Sequence, residues 1–191
     1  METLIQTDKS FLKTIKYDNL DLLKLCTDEI DDLLLVNPPI KIFNKICNQN
    51  RSIGFFSDQS VGYQYSGQIM GSQSLTPNLK ILLEQTNDIF KSNYNGILVN
   101  RYQDGTENIG AHSDDEKYLD QSGVVAISYG HQRKFRIRNK SDKKKVKDIL
   151  TEPGFYLQMG GHFQKEFTHE IPKELKVKEC RYSFTFRKHL I

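Results

Sequence analysis

His112 and Asp114 stand two residues apart in the segment YQDGTENIGAHSDDEKYL, residues 102–119, and Asp115 and Glu116 follow directly. The segment holds five carboxylates, one histidine and two glycines, and little that would fill a core. In an extended backbone the side chains alternate with a period of two, so His112 and Asp114 point the same way and can reach one ion. Such a pair is common on surfaces, and a metal site needs a third ligand. The chain offers four more histidines: His131, His162, His169 and His189. His169 sits in FTHEIP, beside aromatic and β-branched residues and ahead of a proline, as at a strand end. Taken alone, that context is also the setting of a strand-end histidine with a single backbone hydrogen bond. Two histidines and one carboxylate on one face of an octahedron suit Fe(II), leaving positions open for O2 and an organic co-substrate.

A second constellation lies in RYSFTFRKHLI. Arg181, Ser183, Thr185 and Arg187 alternate with Tyr182, Phe184 and Phe186, so one strand face is polar and cationic and the other aromatic. An ordinary half-exposed strand has the same texture. A polar face bounded by two arginines can also hold a dicarboxylate, because a guanidinium grips a carboxylate bidentately. Upstream, GILVNRY puts Asn100 and Tyr102 on one face, where an amide and a phenol can bond the same small acid. A core tyrosine with a satisfied hydroxyl is the competing explanation.

These residues need a scaffold of strands. GILVNRY, VVAISYG, KFRIRNK, GFYLQMG, KEFTHEIP and RYSFTFRK are short apolar stretches separated by turns, which predicts a β-sandwich or barrel. Residues 79–89, after Pro77, carry apolar side chains at helical spacing and predict a helix. Residues 1–35 read as helix-like, an accessory segment or a poorly ordered tail, broken by Asn37-Pro38-Pro39, and residues 40–47 read as one or two helical turns. From Arg51 the texture turns to Gly, Ser, Tyr and Gln, as in hairpins and loops. The basic stretch 141–147 reads as a solvated hairpin tip or a nucleic-acid contact.

The 191 residues suit a single domain with its own core. No apolar run approaches the roughly 20 residues that a membrane helix requires, and no secretory leader is apparent. Cys26, Cys47 and Cys180 are too few and scattered for a disulfide framework, which points to reduced thiols in a nuclear or cytoplasmic, intracellular protein. The net charge of +3 permits an anionic partner without demanding one.

Asn100-x-Tyr102, Asp104-Gly105, His112-x-Asp114-Asp115-Glu116, Ile127-Ser128-x-Gly130, Arg133-x-Phe135, His169 and Arg181-x-x-x-Thr185-Phe186-Arg187 together resemble the AlkB family over about residues 51–187. Members of that family are Fe(II)/2-oxoglutarate dioxygenases that remove alkyl groups from nucleobases. The resemblance implies an α+β fold: a double-stranded β-helix (jelly-roll) core with flanking N-terminal helices and a nucleotide-recognition lid. It implies an accessory segment over 1–40 and a dioxygenase domain over 41–191, with the lid at about 50–75. It implies that His112, Asp114 and His169 ligate Fe(II). It further implies that Asn100, Tyr102, Arg181, Ser183, Thr185 and Arg187 hold 2-oxoglutarate, Arg187 on its distal carboxylate. Ser183 departs from the family, which often has an asparagine there. YQYSG, residues 63–67, resembles the family's aromatic-Ser-Gly element at the base pocket. On that likeness Tyr65 stacks on a flipped base opposite His112, with Tyr63 and Ser66 nearby. Glu116 matches an acidic position near the base's exocyclic group, and Arg51 and Asp58 fall in the lid.

The implied activity is oxidative dealkylation of bases such as 1-methyladenine and 3-methylcytosine in DNA or RNA, using O2 and 2-oxoglutarate, by a monomer with no membrane partner. Such bases are cationic, so Asp115 and Glu116 would supply complementary charge and Tyr65 an electron-rich face; for Asp115 a solvated turn is the equal alternative. Lys143, Lys144, Lys145, Lys173, Lys176 and Lys178 are available for phosphate contacts. Two other readings compete: a 2-oxoglutarate-dependent hydroxylase or demethylase of a protein or lipid, and a nucleic-acid-binding module without catalysis. On the leading reading, Asp114→Ala abolishes activity with the fold intact, and Arg187→Ala raises the 2-oxoglutarate requirement steeply.

Overall fold

The computed structural model describes residues 1–42, 45–65, 68–115, 119–120 and 123–189. The chain opens on a hairpin, β1 (Glu2–Gln6) and β2 (Ser10–Lys16). Helix α1 (Leu20–Ile30) starts at Asn19, whose side chain accepts from Leu22 N at 3.1 Å. Leu22, Leu23, Cys26 and Ile30 form its buried stripe. Short strands follow: β3 (Leu35–Val36), β4 (Pro39–Ile42), β5 (Lys45–Asn48) and β6 (Ser52–Phe56), then the hairpin β7 (Gly62–Tyr65) and β8 (Gln68–Gly71). Helix α2 (Pro77–Phe90) has Pro77 in its first turn, Thr76 as its cap, and a stop at Lys91 in the left-handed region at φ 49°. The remaining strands are β9 (Gly96–Tyr102), β10 (Ile109–His112), β11 (Val124–Gly130), β12 (Arg133–Asn139), β13 (Lys145–Thr151) and β14 (Phe155–Gly161). A single turn, α3 (Phe163–Glu166), precedes β15 (Phe167–Ile171), and β16 (Arg181–Arg187) comes last.

The strands build an antiparallel sheet of eight in the order β1-β2-β14-β11-β16-β9-β6-β3 and one of four in the order β10-β15-β12-β13. Leu12, Tyr102, Val124, Leu157 and Met159 of the larger sheet meet Phe135, Ile137, Ile149, Phe167 and Ile171 of the smaller one in a shared apolar core. The fold is the expected jelly roll. The larger sheet's other face is covered by α1 and α2, which pack on Ile97, Val99, Val125, Ile127, Tyr156, Phe184 and Phe186. Alternation in β16 follows directly: Phe184 and Phe186 face the helices, each burial contributing roughly 1.5–3 kcal/mol, and the polar residues face inward between the sheets.

Two local expectations are corrected. The helix-like reading of residues 1–35 holds for α1, but residues 2–6 and 10–16 are strands, and β2 pairs with β14 over Lys16↔Phe155 to Ser10↔Gly161. The described residues of 40–47 are extended rather than helical. Ile40↔Cys47, Lys41↔Ile46 and Ile42↔Lys45 are paired in the hairpin β4–β5, for which the Ile-Lys-Ile alternation already had the right period.

Asp31, at the end of α1, accepts from Arg101 Nη1 of β9 and from the Tyr182 hydroxyl of β16, each at 2.5 Å. Burial pushes its carboxyl up, but the bonds from Tyr182 and Arg101 outweigh it and hold the group below the ordinary carboxylate range. A depressed folded pKa stabilises fully above the unfolded value of about 4 and loses that contribution as pH falls through the folded value. Thermal melts are therefore expected to show a steeper loss of Tm between pH 5 and pH 3 for the wild type than for Asp31→Asn. Equal slopes would exclude this group from the linkage.

Candidate active site

His112 ends β10 directly opposite His169 of β15, and the two ring centroids are 4.3 Å apart. Asp114 follows on the loop beyond β10, buried at 7% exposure. Donor atoms from His112, Asp114 and His169 all lie within 4.8 Å of one another, the one such group among the described residues. Three contacts seat the loop. Ser113 Oγ donates to Phe167 O at 2.9 Å, Asp114 N donates to Gln164 Oε1 at 2.9 Å, and Lys140 pairs with Asp115 at 3.1 Å. The His112 Nδ1 lies 2.9 Å from Gly110 O, which directs Nε2 inward, and Phe135 stacks on the His169 ring with centroids 5.0 Å apart.

The electrostatics favour a cation. Burial and the neighbouring His112 depress His169 to about 3, and burial lowers His112 as well, so both imidazoles are neutral with free lone pairs at neutral pH. Burial pushes the Asp114 carboxyl up, but Arg187, His169 and His112 prevail and hold it at about 2. Two neutral imidazoles and an ionised carboxylate form the donor set that Fe(II) takes.

The same cavity continues along the inner face of β16, β9 and β11 past Thr185, Ser183, Asn100 and Ser128 to Arg181 and Tyr102. Arg181 and Arg187 are both buried and lie about 20 Å apart along the strand. Arg187 Nη2 donates to Asp114 Oδ1 at 3.2 Å, and its guanidinium lies 4.9 Å from the Tyr63 ring centroid. Arg187 is thus at the metal end, against the expectation that it grips a distal carboxylate. Arg181 occupies the other end. Its Nη2 donates to Ser128 Oγ at 2.8 Å, and the guanidinium lies 5.5 Å from the Tyr102 ring. Its Nε and Nη1 are buried without a hydrogen-bond partner. Burial draws Arg181 down to about 10, which leaves it cationic at neutral pH. A buried cation with two unanswered N–H groups fits a carboxylate arriving from the cavity.

Of the expected base contacts, Tyr63 and Arg51 line this cavity, and Arg51 Nε donates to Asn100 Oδ1 at 2.6 Å. Arg51 is therefore a buried pocket residue beside β6, not part of an exposed lid. Asp58 is absent from the cavity wall: its carboxylate accepts from Leu75 N at 2.9 Å and pairs with Lys80 at 3.1 Å, which fixes the approach to α2. Asp115 is exposed on its bridge to Lys140. The Tyr65 side chain, Ser66 and Glu116 lie outside the described residues. Sequence reasoning missed Gln164, Lys140 and Phe135 as supports of the triad. Gln164 and Lys140 are unmarked in their local sequence because they act across 50 and 25 residues, and Phe135, although part of the Arg133-x-Phe135 motif, acts through ring packing.

Residues 35–187 match the family model described as the 2OG-Fe(II) oxygenase superfamily. The chain is 28% identical over 160 residues to the human DNA oxidative demethylase ALKBH2, covering 80% of this chain and 61% of that protein. It is 31% identical over 120 residues to the bovine alpha-ketoglutarate-dependent dioxygenase alkB homolog 3, covering 58% of this chain and 42% of the relative. The chain thus spans about three-fifths of the human relative's length. The solved structure of OsALKBH1 aligns over 98% of this chain and 100% of that one with a TM-score of 0.60 at 15% identity, a likeness of fold. Triad, arginine-bearing strand and jelly roll agree with these matches: the chain belongs to the 2OG-Fe(II) oxygenase superfamily, within its AlkB family.

Proposed function

We propose that this protein dealkylates N-alkylated nucleobases, such as 1-methyladenine and 3-methylcytosine in DNA or RNA, with Fe(II), 2-oxoglutarate and O2. The observation that carries the reading is a single buried cavity with His112, Asp114 and His169 at one end and the two unpartnered N–H groups of Arg181 at the other. His112, Asp114 and His169 hold the metal. Arg181 takes the far carboxylate of 2-oxoglutarate, with Tyr102, Asn100, Ser183 and Thr185 along its length. Arg187 keeps Asp114 ionised and oriented. Bound iron, with 2-oxoglutarate and O2, supplies the oxidation that hydroxylates the N-alkyl carbon, after which the base is released with loss of an aldehyde.

The chain's own tasks are binding and exclusion. Tyr63 and Arg51 border the cavity, and the apolar wall of Leu98, Leu157 and Met159 limits water around the co-substrate. A base has to leave its stack to reach the metal, at a cost of a few kcal/mol that is least where alkylation has already broken pairing. We place the catalytic unit at 41–191, with 1–40 as an accessory segment whose hairpin widens the larger sheet. No described helix is long and apolar enough to cross a membrane. Three free cysteines support an intracellular setting.

The test is incubation with Fe(II), 2-oxoglutarate and an oligonucleotide carrying 1-methyladenine. The expected result is loss of the mass of one CH2, about 14 Da, matched by succinate formation, and its absence without 2-oxoglutarate. Turnover of a peptide with none on any alkylated oligonucleotide would replace the substrate class. Tight oligonucleotide binding indifferent to 2-oxoglutarate and to His112→Ala would point to a non-catalytic module.

A further inference from the structure

The two residues after β16 make contacts that the proposed reaction does not use. His189 is buried at 3% exposure, and its ring stacks on Phe55 with centroids 4.9 Å apart and planes 20° apart. Its backbone is locked to Asn95: His189 N donates to Asn95 Oδ1 at 2.8 Å, and Asn95 Nδ2 donates to His189 O at 2.9 Å. The ring is aimed by this frame, and its Nδ1 lies 2.8 Å from Ser60 Oγ.

Ser60 is the root of the hairpin β7–β8. Its carbonyl accepts from Ser72 Oγ at 2.5 Å, just past β8, and its N–H donates to Ser57 Oγ at 2.9 Å, just past β6. Through one serine, His189 therefore holds both legs of the hairpin. The same two residues hold the far side of the metal loop: Leu119 bridges to His189, and Asp120 N donates to Lys188 O at 2.9 Å. Arg187, immediately before them, touches Asp114 and the face of Tyr63.

We propose that His189 is a positioning residue that fixes the β7–β8 hairpin relative to the metal loop and so sets the affinity for the alkylated base. The proposal rests on the functional reading above. A two-stranded hairpin outside the main sheets is marginal by itself. Without its root contact it has to be ordered by the substrate, and that cost falls on substrate affinity rather than on the chemical step. His112, His169 and Arg181 belong to β10, β15 and β16, whose ladders do not include the hairpin, and Asp114 is seated by Gln164 and Arg187.

Two variants separate the bond from the ring. His189→Phe keeps the stack on Phe55 and removes the bond to Ser60; His189→Asn returns a polar atom near the position of Nδ1. His189→Phe is expected to raise KM for a 1-methyladenine oligonucleotide about tenfold. Its kcat and Mn(II) affinity are expected to stay within about twofold of wild type. Amide hydrogen exchange is expected to quicken at residues 62–65, 68–71 and Asp120 and to stay slow in β9 and β16. His189→Asn is expected to recover both KM and protection. An unchanged KM, an equal loss in kcat and metal affinity, or exchange that quickens throughout the larger sheet would overturn the proposal. Hydrogen exchange needs no substrate. A wild-type protein inert on every alkylated oligonucleotide would therefore defeat the functional reading, whereas unchanged protection of the hairpin in His189→Phe would defeat this one.

Discussion

Asp114→Ala is expected to abolish turnover and to lower the Tm of the metal-free protein in the same stroke. The loss of turnover follows from removal of the anionic donor between two neutral imidazoles. The loss of stability follows from Arg187, whose side chain is 1% exposed and whose Nη2 donates to the Asp114 carboxylate at 3.2 Å. Removing one member of a buried ion pair costs about 3–5 kcal/mol. For a chain of this size that corresponds to roughly 6–20 °C in Tm. The sequence-based expectation that the fold is left intact is therefore revised: the carboxylate that serves the metal also neutralises a buried guanidinium. Asp114→Asn keeps an acceptor for Arg187 and is expected to lose less stability while losing comparable activity. Asp115→Ala, at an exposed ion pair worth at most about 1 kcal/mol, is the control that should change little. Calorimetry of the metal-free variants measures the first quantity and succinate release the second. A full-strength Asp114→Ala enzyme would remove this residue from the metal.

The second large effect is at the other end of the cavity. Arg181→Ala is expected to weaken 2-oxoglutarate binding by about 10^2–10^4-fold, since two charge-assisted hydrogen bonds are worth about 1.5–3 kcal/mol each. Anaerobic titration of the Mn(II)-loaded protein with 2-oxoglutarate measures this without turnover. Arg181→Lys should recover little, because a single ammonium cannot reproduce the fork that Nε and Nη1 present. Arg187→Ala is expected to act first on metal affinity, through Asp114, which reverses the assignment that the sequence alone suggested. An unchanged 2-oxoglutarate affinity in Arg181→Ala would make that arginine structural.

The residues of the site were legible because period-two alternation survives folding unchanged. His112 and Asp114, and the inward series Arg181, Ser183, Thr185 and Arg187, reach one cavity as their spacing requires. The order of the two arginines along that cavity was not legible. Which end of β16 meets the metal loop depends on the antiparallel pairing of β16 with β9 and β11 and on the return of β10 beside β15. Residues 1–16 were misread for a related reason. Strand β2 takes its identity from β14, about 140–150 residues later, and β1 from β2; Ser10 to Lys16 alternate weakly because both faces are partly covered. The hairpin β4–β5 was lost to a short apolar run whose helical and extended readings differ little in composition.

Strand β16 is the last in order and stands between β9 and β11 near the middle of the larger sheet. During synthesis, a chain halted before Arg181 would hold two unpaired central edges and neither of the two guanidinium groups of β16, so ligand recognition could not begin before that strand is made. Closure of the sheet and acquisition of co-substrate affinity would then be one late event, and abortive products would be inert toward 2-oxoglutarate and prone to associate through those edges.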